Sequence, residues 1–390
     1  MIIILPEEVK KILSVLEYKG FKAYIVGGCV RDILMKKAPH DYDIATSASP
    51  EQIKSLFNKT ADTGIKHGTV TVIENGIPFE VTTFRTESGY SDLRRPDKVY
   101  FVKDIKEDLS RRDFTMNAIA FSLNGEITDP FGGQTDIKNK VIKTVGDPYK
   151  RFSEDALRIL RLFRFSSALD FLPEKNTLNA ALELSDELKK ISTERIVSEL
   201  KKTICSNFPE NSTPLFKTKA LSFLGIENCP RLNKLKLLRN NPELRMFAFL
   251  KESSQNAAQT AKNLKLSRKE TDKISDLLYI EKNLKSENKI NIKEIMSKLK
   301  NPETFDDYAD YAKIFKDFNG EKLKADYIEI IKNKEPYKIS DLAVDGSVIS
   351  AFGISGKEVG AELERLLKIV IVNPEENKKE LLLKMINKRN

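Results

Sequence analysis

AYIVGGCVRDILMKKAPHDYD, residues 23–43, is the stretch whose reading decides the fold. The apolar run Phe21 to Val26 has the length and composition of a buried strand. Gly27 and Gly28 then make a turn tight enough for backbone amides to approach a ligand, and Val30 to Met35 reads as the helix that follows. Asp41 and Asp43 sit at i and i+2. On a strand from His40 to Ala45, both carboxylates would project from one face. Two like charges that close are costly unless a cation lies between them. Oxygen ligands with no neighbouring Cys or His favour Mg²⁺ over zinc. A glycine pair alone is usually a plain turn, and Asp-x-Asp alone is usually a solvated loop end. Their succession at this spacing points to a phosphate-binding turn beside a divalent-metal site.

Working outward, Pro6 to Lys19 predicts a helix with Pro at its first position and Gly20 past its end. Ser49-Pro50-Glu51-Gln52 is a capping box opening a helix through Phe57. Strand-like runs recur at Asp41 to Ala45, Thr69 to Ile73, Phe79 to Phe84 and Ala118 to Leu123, and the turn Asp129-Pro130-Phe131-Gly132-Gly133 closes this region. From about Phe152 onward strand signals vanish and helical periodicity dominates, most clearly in DALRILRLFRFSSAL and ERIVSELKKTI. Residues 206 to 310 read as shorter helices, and Asn373-Pro374-Glu375-Glu376 as the cap of a last helix through Ile386. The expected class is α+β, a mixed α/β head followed by helices only, with no internal repeat.

The chain has 390 residues, of which 32% are charged and 40% hydrophobic, as expected of a soluble globular protein with two to four domains. No apolar run approaches the roughly 18 residues that span a bilayer, and the start MIIILPEEVK does not read as a signal peptide. Cys29, Cys205 and Cys229 are few and scattered, which fits small buried hydrophobes in a reducing cytoplasm. Two histidines, His40 and His67, argue against a histidine-ligated metal or a Ser-His-Asp mechanism. His40 reads as a strand-edge residue only. Residues 231 to 300 hold 17 Lys or Arg against 8 Asp or Glu, so this segment accounts for the whole net charge of +9. A polyanion such as RNA would be drawn to it, although a lysine-rich solvated helical surface has the same composition.

No Gly-x-x-x-x-Gly-Lys-Ser/Thr is present, which excludes a P-loop. The glycine turn and the Asp-x-Asp pair suit two-metal nucleotidyl transfer instead. Arg111-Arg112-Asp113 would place two guanidiniums to clamp phosphates. Asp155 and Arg158 lie at i and i+3, and by pattern alone a helix salt bridge is the preferred reading of them. The alternative is an acceptor–donor pair that reads a base edge. Arg161 and Arg164 continue the spacing, but about 60° of rotation per step keeps all four off one face. Leu157, Leu160 and Phe163 between them read as core.

GGCVRD, DYDIAT, RRDFTMNAIA, DPFGGQTDI, EDALRILRLFRF and ERIVSEL, in this order over residues 20 to 200, resemble the class II tRNA nucleotidyltransferases, the bacterial CCA-adding enzymes of the poly(A) polymerase family. SDLAVDGSVISAFGISGKEVGAELERLL resembles the tail of that family more weakly. The resemblance implies a polymerase-beta-like head at 1–140, a helical neck at 141–205 that recognises the base, a basic helical body at 206–310 and a tRNA-binding tail at 311–390. It implies that Asp41 and Asp43 bind catalytic Mg²⁺, that Gly28 and Arg31 contact the nucleotide, and that Arg112 contacts its phosphates. Asp155 and Arg158 would read the base of CTP or ATP, supported by Arg161 and Arg164, which overturns the salt-bridge reading. Glu80 is a candidate third carboxylate. Residues 85 to 98 resemble the loop that such enzymes use to switch from C to A addition. The substrates implied are tRNA, CTP and ATP. The alternatives are an A-adding enzyme or poly(A) polymerase, or an inactive RNA-binding relative.

Overall fold

A computed structural model describes residues 5–88, 98–316 and 319–387. The chain divides into two compact units, residues 1–223 and 224–390. The first holds a seven-stranded mixed sheet: β1 Ala23–Val26, β2 Asp43–Thr46, β3 Thr60–Gly64, β4 Thr69–Glu74, β5 Ile77–Thr83, and two later strands. The hairpin β6 Arg85–Ser88 and β7 Lys98–Phe101 stands apart from this sheet, and β8 Ala120–Ser122 and β9 Ile127–Thr128 complete it. The order is β3-β4-β5-β2-β1-β8-β9. Only β2 and β5 run parallel; every other neighbouring pair is antiparallel.

Helix α1, Glu7–Tyr18, buries Val9, Ile12, Leu13 and Leu16, spaced three and four apart, against β1 and its surroundings. Pro6 stands just before the helix rather than inside it. Helix α2, Gly28–Leu34, begins two residues earlier than expected, because Gly27 alone takes the left-handed turn, with φ 77°. Helix α3, Pro50–Leu56, has the expected capping box. Ser49 accepts from the Gln52 amide, and the Gln52 side chain accepts from the Ser49 amide. A core of Val26, Ala45, Phe84, Ile105, Leu109, Ala118, Ala120 and Val145 ties the sheet to α4, Ile105–Ser110. Gly133 opens α5, Gly133–Lys138, where a Cβ would fall 2.2 Å from the Thr115 carbonyl oxygen, so no larger residue fits.

Further expectations need correction. β2 starts at Asp43, so Asp41 precedes the strand instead of alternating along it. The physical reason is that β1 ends at Val26 and the chain turns away at Gly27, which leaves residues 40–42 without a ladder partner. Strand structure also does not end at Phe152: Leu172–Pro173 pairs in parallel with Val141–Ile142. Finally, the sequence around Asp155 is not one continuous helix. Helix α6, Pro148–Glu154, stops there, Asp155 is extended at φ −145° and ψ 101°, and α7 runs Leu157–Leu169. The Asp155 carboxylate accepts from the Leu157 amide at 3.0 Å, which satisfies one of the free donors at the new helix start.

Helices α8, Lys175–Glu183, and α9, Thr193–Ile204, follow, with α9 packed along α7, and a short helix α10, Thr213–Lys217, ends the helices of the first unit. The second unit is helical. Tyr308 and Tyr311 are fully buried in it, and Tyr311 lies 4.8 Å from Phe247 by ring centroids. At the C-terminal end, Pro374–Glu376 is a 3₁₀ turn and the last helix starts at Lys379, so Asn373 does not cap that helix. There, Val344, Ile349, Leu363, Leu366, Val370, Leu382 and Ile386 form a separate apolar cluster. Of the loop at 85–98, residues 89–97 lie outside the described residues.

Candidate active site

The strand order puts the sheet's carboxylates beside the β1–α2 turn. Val26 closes β1 opposite Asp43 at the start of β2, and Gly27 follows immediately. A Cβ on Gly27 would sit 2.9 Å from Arg112 Nη1 and 3.8 Å from Asp43 Oδ2, so the missing side chain lets a guanidinium and a carboxylate meet over the turn. Nine of the residues singled out by sequence line one cavity of about 630 Å³: Gly28, Arg31, Asp41, Asp43, Arg112, Asp155, Arg158, Arg161 and Arg164; Glu80, the candidate third carboxylate, does not line it. The length of the arginine side chains resolves the objection from helix rotation. Arg158, Arg161 and Arg164 leave α7 in different directions yet reach the same space.

Each guanidinium is held by a named partner. Arg31 donates through Nε and Nη2 to Asp32 Oδ1 at 2.9 and 2.8 Å, and through Nη1 to Asn117 Oδ1 at 2.9 Å. Asn117 donates in turn to Asp113 at 3.2 Å, and Arg161 donates twice to Asp113 Oδ2 at 2.9 and 2.6 Å. Burial pushes the Asp113 carboxyl upward, but the Arg161 charge and these hydrogen bonds outweigh it and bring the pKa down to about 2. Arg164 pairs with Glu199 at 2.6 Å. Three guanidiniums, Arg31, Arg161 and Arg164, gather at the Phe165 ring, at 5.3, 5.3 and 3.9 Å from its centroid. Arg112 donates to Asp108 at 3.2 Å, while its buried Nε has no hydrogen-bond partner among the described residues.

The helix salt bridge between Asp155 and Arg158 does not form. Arg158 donates to Glu154 at 2.8 Å and to the Arg151 and Arg111 carbonyls, and Asp155 accepts from Arg195 of α9 at 2.9 Å. Leu157, Leu160 and Phe163 are buried core, as expected. Sequence reasoning passed over Asp32, Asn117, Phe165, Arg195 and Glu199. All five lie inside the quoted motifs, but nothing in the spacing singled them out from the residues around them.

At the carboxylates, burial raises the Asp43 pKa; Arg112 opposes this, and Glu80 and Asp41 add to it. Asp41 is 87% exposed, with the exposed His40 3.9 Å away. Among the described residues, no group of three or more His, Cys, Asp or Glu side chains is arranged to hold a metal ion. A pair of carboxylates at the edge of this arginine-lined cavity still fits a hard cation that completes its shell with substrate phosphates and water. A glycine turn and two carboxylates, one opening a strand of a mixed sheet and one just before it, faced by a ring of arginines, define a nucleotidyltransferase head.

Comparison with known proteins agrees. Residues 23–143 match the family described as the poly A polymerase head domain, and residues 170–224 match a probable RNA and SrmB-binding site of polymerase A. A CCA-adding enzyme of Lactobacillus helveticus is 38% identical over 96% of this chain and 95% of its own length. One from Staphylococcus epidermidis is 48% identical over 57% of this chain and 58% of its own. The crystal structure of the Bacillus stearothermophilus CCA-adding enzyme in complex with CTP superposes with a TM-score of 0.85 at 32% identity, over 99% of this chain and 98% of that one. The chain therefore belongs to the CCA-adding enzymes, nucleotidyltransferases that work by CCA addition. Enzymes of this kind use divalent metal ions. Among the described residues, no helix is long and apolar enough to cross a membrane.

Proposed function

We propose that this cavity binds CTP and then ATP, and that the chain builds or repairs the 3′-terminal CCA of tRNA without a nucleic-acid template. The observation that carries the reading is the single cavity in which Asp41 and Asp43 face Arg31, Arg112, Arg158, Arg161 and Arg164. In the reaction, the tRNA 3′-hydroxyl oxygen forms a bond to the α-phosphorus, the α–β P–O bond breaks, and pyrophosphate leaves with the proton passing to a base or to solvent. A divalent ion, Mg²⁺ on this reading, would be held by Asp41 and Asp43 and would supply charge neutralisation at the reacting phosphate. The turn at Gly27 brings the backbone at Gly28 close to the phosphates, and Arg31 and Arg112 neutralise them. Their guanidiniums are already oriented by Asp32, Asn117 and Asp108, so little ordering remains to be done on binding.

Base selection follows from the hydrogen-bond inventory. A carboxylate offers about four acceptor sites, and Asp155 uses two; a guanidinium offers five donors, and Arg158 makes three bonds to protein. The pair can accept from an exocyclic amino group and donate to a ring nitrogen. Cytosine and adenine both present that combination, whereas uracil and guanine present a ring N–H and a carbonyl. A mismatch leaves buried polar groups unpaired at about 1–3 kcal/mol each. The binding test uses all four nucleotides: CTP and ATP should bind at least tenfold more tightly than UTP and GTP. Arg158→Ala should shrink that gap, and an unchanged gap would remove the base-reading role.

On the same reading, residues 1–140 form the catalytic head, 141–205 the base-reading neck, 206–310 the body and 311–390 the tail, with the basic surface of the body and tail holding the tRNA backbone by shape. The enzyme would act in the cytoplasm, where tRNA is processed. The Bacillus stearothermophilus relative was crystallised with CTP, which supports C addition here over an enzyme restricted to A.

A further inference from the structure

Asp108 lies on α4, three residues ahead of Arg111 and outside every motif quoted above, yet its side chain is only 1% exposed. A charge buried that deeply is costly unless it is paired and hydrogen-bonded. Its surroundings supply both. Oδ1 accepts from Arg111 Nε at 3.0 Å, from Arg111 Nη2 at 2.8 Å and from the Arg85 amide at 3.3 Å. Oδ2 accepts from Arg112 Nη2 at 3.2 Å. The spacings i+3 and i+4 bring both guanidiniums to one side of the helix end. Burial pushes the carboxyl upward, but the Arg111 and Arg112 charges outweigh it and hold it below the usual range, so it is ionised at neutral pH.

The end of the same helix braces the other side of the cavity. α4 stops at Ser110, which leaves its last carbonyls without intrahelical donors. The Ser110 carbonyl accepts from Arg151 Nη2 at 3.0 Å, and the Arg111 carbonyl accepts from Arg158 Nη2 at 3.3 Å. Arg151 and Arg158 also share one acceptor, Glu154 Oε2, at 2.9 and 2.8 Å. Residue 111 therefore has two duties: Asp108 grips its side chain, and Arg158 docks on its carbonyl. Arg112 and Arg158 line the cavity, whereas Asp108 stands behind its wall.

We propose that Asp108 is a positioning residue that fixes the phosphate-facing Arg112 and the base-facing Arg158 relative to each other. The inference rests on the nucleotidyl-transfer reading above and adds to it that triphosphate and base are recognised as one unit. Turning residue 111 away from Asp108 moves the carbonyl that braces Arg158, and losing the same carboxylate releases Arg112.

The test is incorporation of CTP and UTP onto a tRNA transcript lacking CCA, with inorganic tripolyphosphate as competitor in excess Mg²⁺. Asp108→Asn keeps the volume but sets an N–H donor against guanidinium donors. It should raise Ki for tripolyphosphate at least tenfold and lower the CTP-over-UTP ratio of kcat/KM at least fivefold. A folded Asp108→Asn protein in which either quantity stays at its wild-type value would overturn the proposal. Arg111→Met removes the side chain that Asp108 grips and leaves Arg112 with its partner. It should lower the ratio at least threefold, since loss of a purely local phosphate contact would slow both nucleotides alike. An unchanged ratio in Arg111→Met overturns the proposal even if Asp108→Asn fails to fold. A wild type that does not incorporate CTP removes the functional reading and the proposal together. An active wild type whose variants keep its preference for C removes the proposal alone.

Discussion

Arg31, Arg161 and Arg164 would repel one another in any arrangement that lacked counter-charges, and Asp32, Asp113, Glu199 and the Phe165 ring are what hold them. Phe165→Leu keeps the volume roughly but removes the π face from three cations. It should weaken CTP and ATP binding about tenfold alike, measured by equilibrium binding, while leaving C-over-U preference unchanged. The Asp113–Arg161 pair makes a separate, pH-dependent contribution. The folded-state pKa of Asp113 is depressed from 3.8 to about 2, so its stabilisation is fully present above pH 4 and is lost as pH falls toward 2. That interval corresponds to roughly 2 kcal/mol. Asp113→Asn should lower stability at neutral pH and flatten the acid limb between pH 4 and 2 in denaturant titrations. Nine of the lining residues were legible because the sequence packs them into short motifs. The pairings were not, since Arg195 and Glu199, although inside ERIVSEL, meet Asp155 and Arg164 from a helix more than thirty residues along the chain.

At the scale of elements, the glycine turn and the break between α6 and α7 do the positioning. Gly27 combines φ 77° with a guanidinium where its Cβ would be. Gly27→Ala should therefore displace Arg112 and cost about 1–2 kcal/mol of stability. The accompanying loss of incorporation for every nucleotide should exceed tenfold, checked by kcat/KM with CTP and ATP. The break at Asp155 was invisible to periodicity, because Glu-Asp-Ala carries no glycine or proline and the apolar spacing continues through it. Tertiary pairing of Asp155 with Arg195 and its bond to the Leu157 amide outweigh a weak helical preference. The sheet was legible where strands are long and apolar. β3, with TADTG, a bulge and exposed side chains, carried no such signal.

Across the whole molecule, the charge surplus of residues 231 to 300 is less available than composition implied. Arg239 is paired with Asp306, Asp307 and Asp310, Lys273 with Asp307, and Lys293 with Glu335. These pairs bind the second unit together, with acids supplied from beyond residue 300 that a local charge count misses. Lys262, Lys269, Lys282 and Lys285 form no ion pair with any described residue and remain for a polyanion. Lys269→Glu with Lys282→Glu should lower tRNA affinity in filter binding across a salt series. The slope of log K against log salt should fall by about one for each phosphate no longer neutralised. Lys293→Ala should instead reduce thermal stability, because its buried ammonium is enclosed with Glu335.

The central claim is that the protein itself selects C, C and then A at one cavity. It is tested most directly by offering each labelled nucleotide, with Mg²⁺, to tRNA transcripts ending before the first C, after one C, after two and after the complete CCA. The account predicts C, C and A in turn, nothing beyond, and no addition by an Asp43→Asn variant that still binds tRNA. Addition of A alone, a run of A, or U and G accepted as readily as C would contradict it.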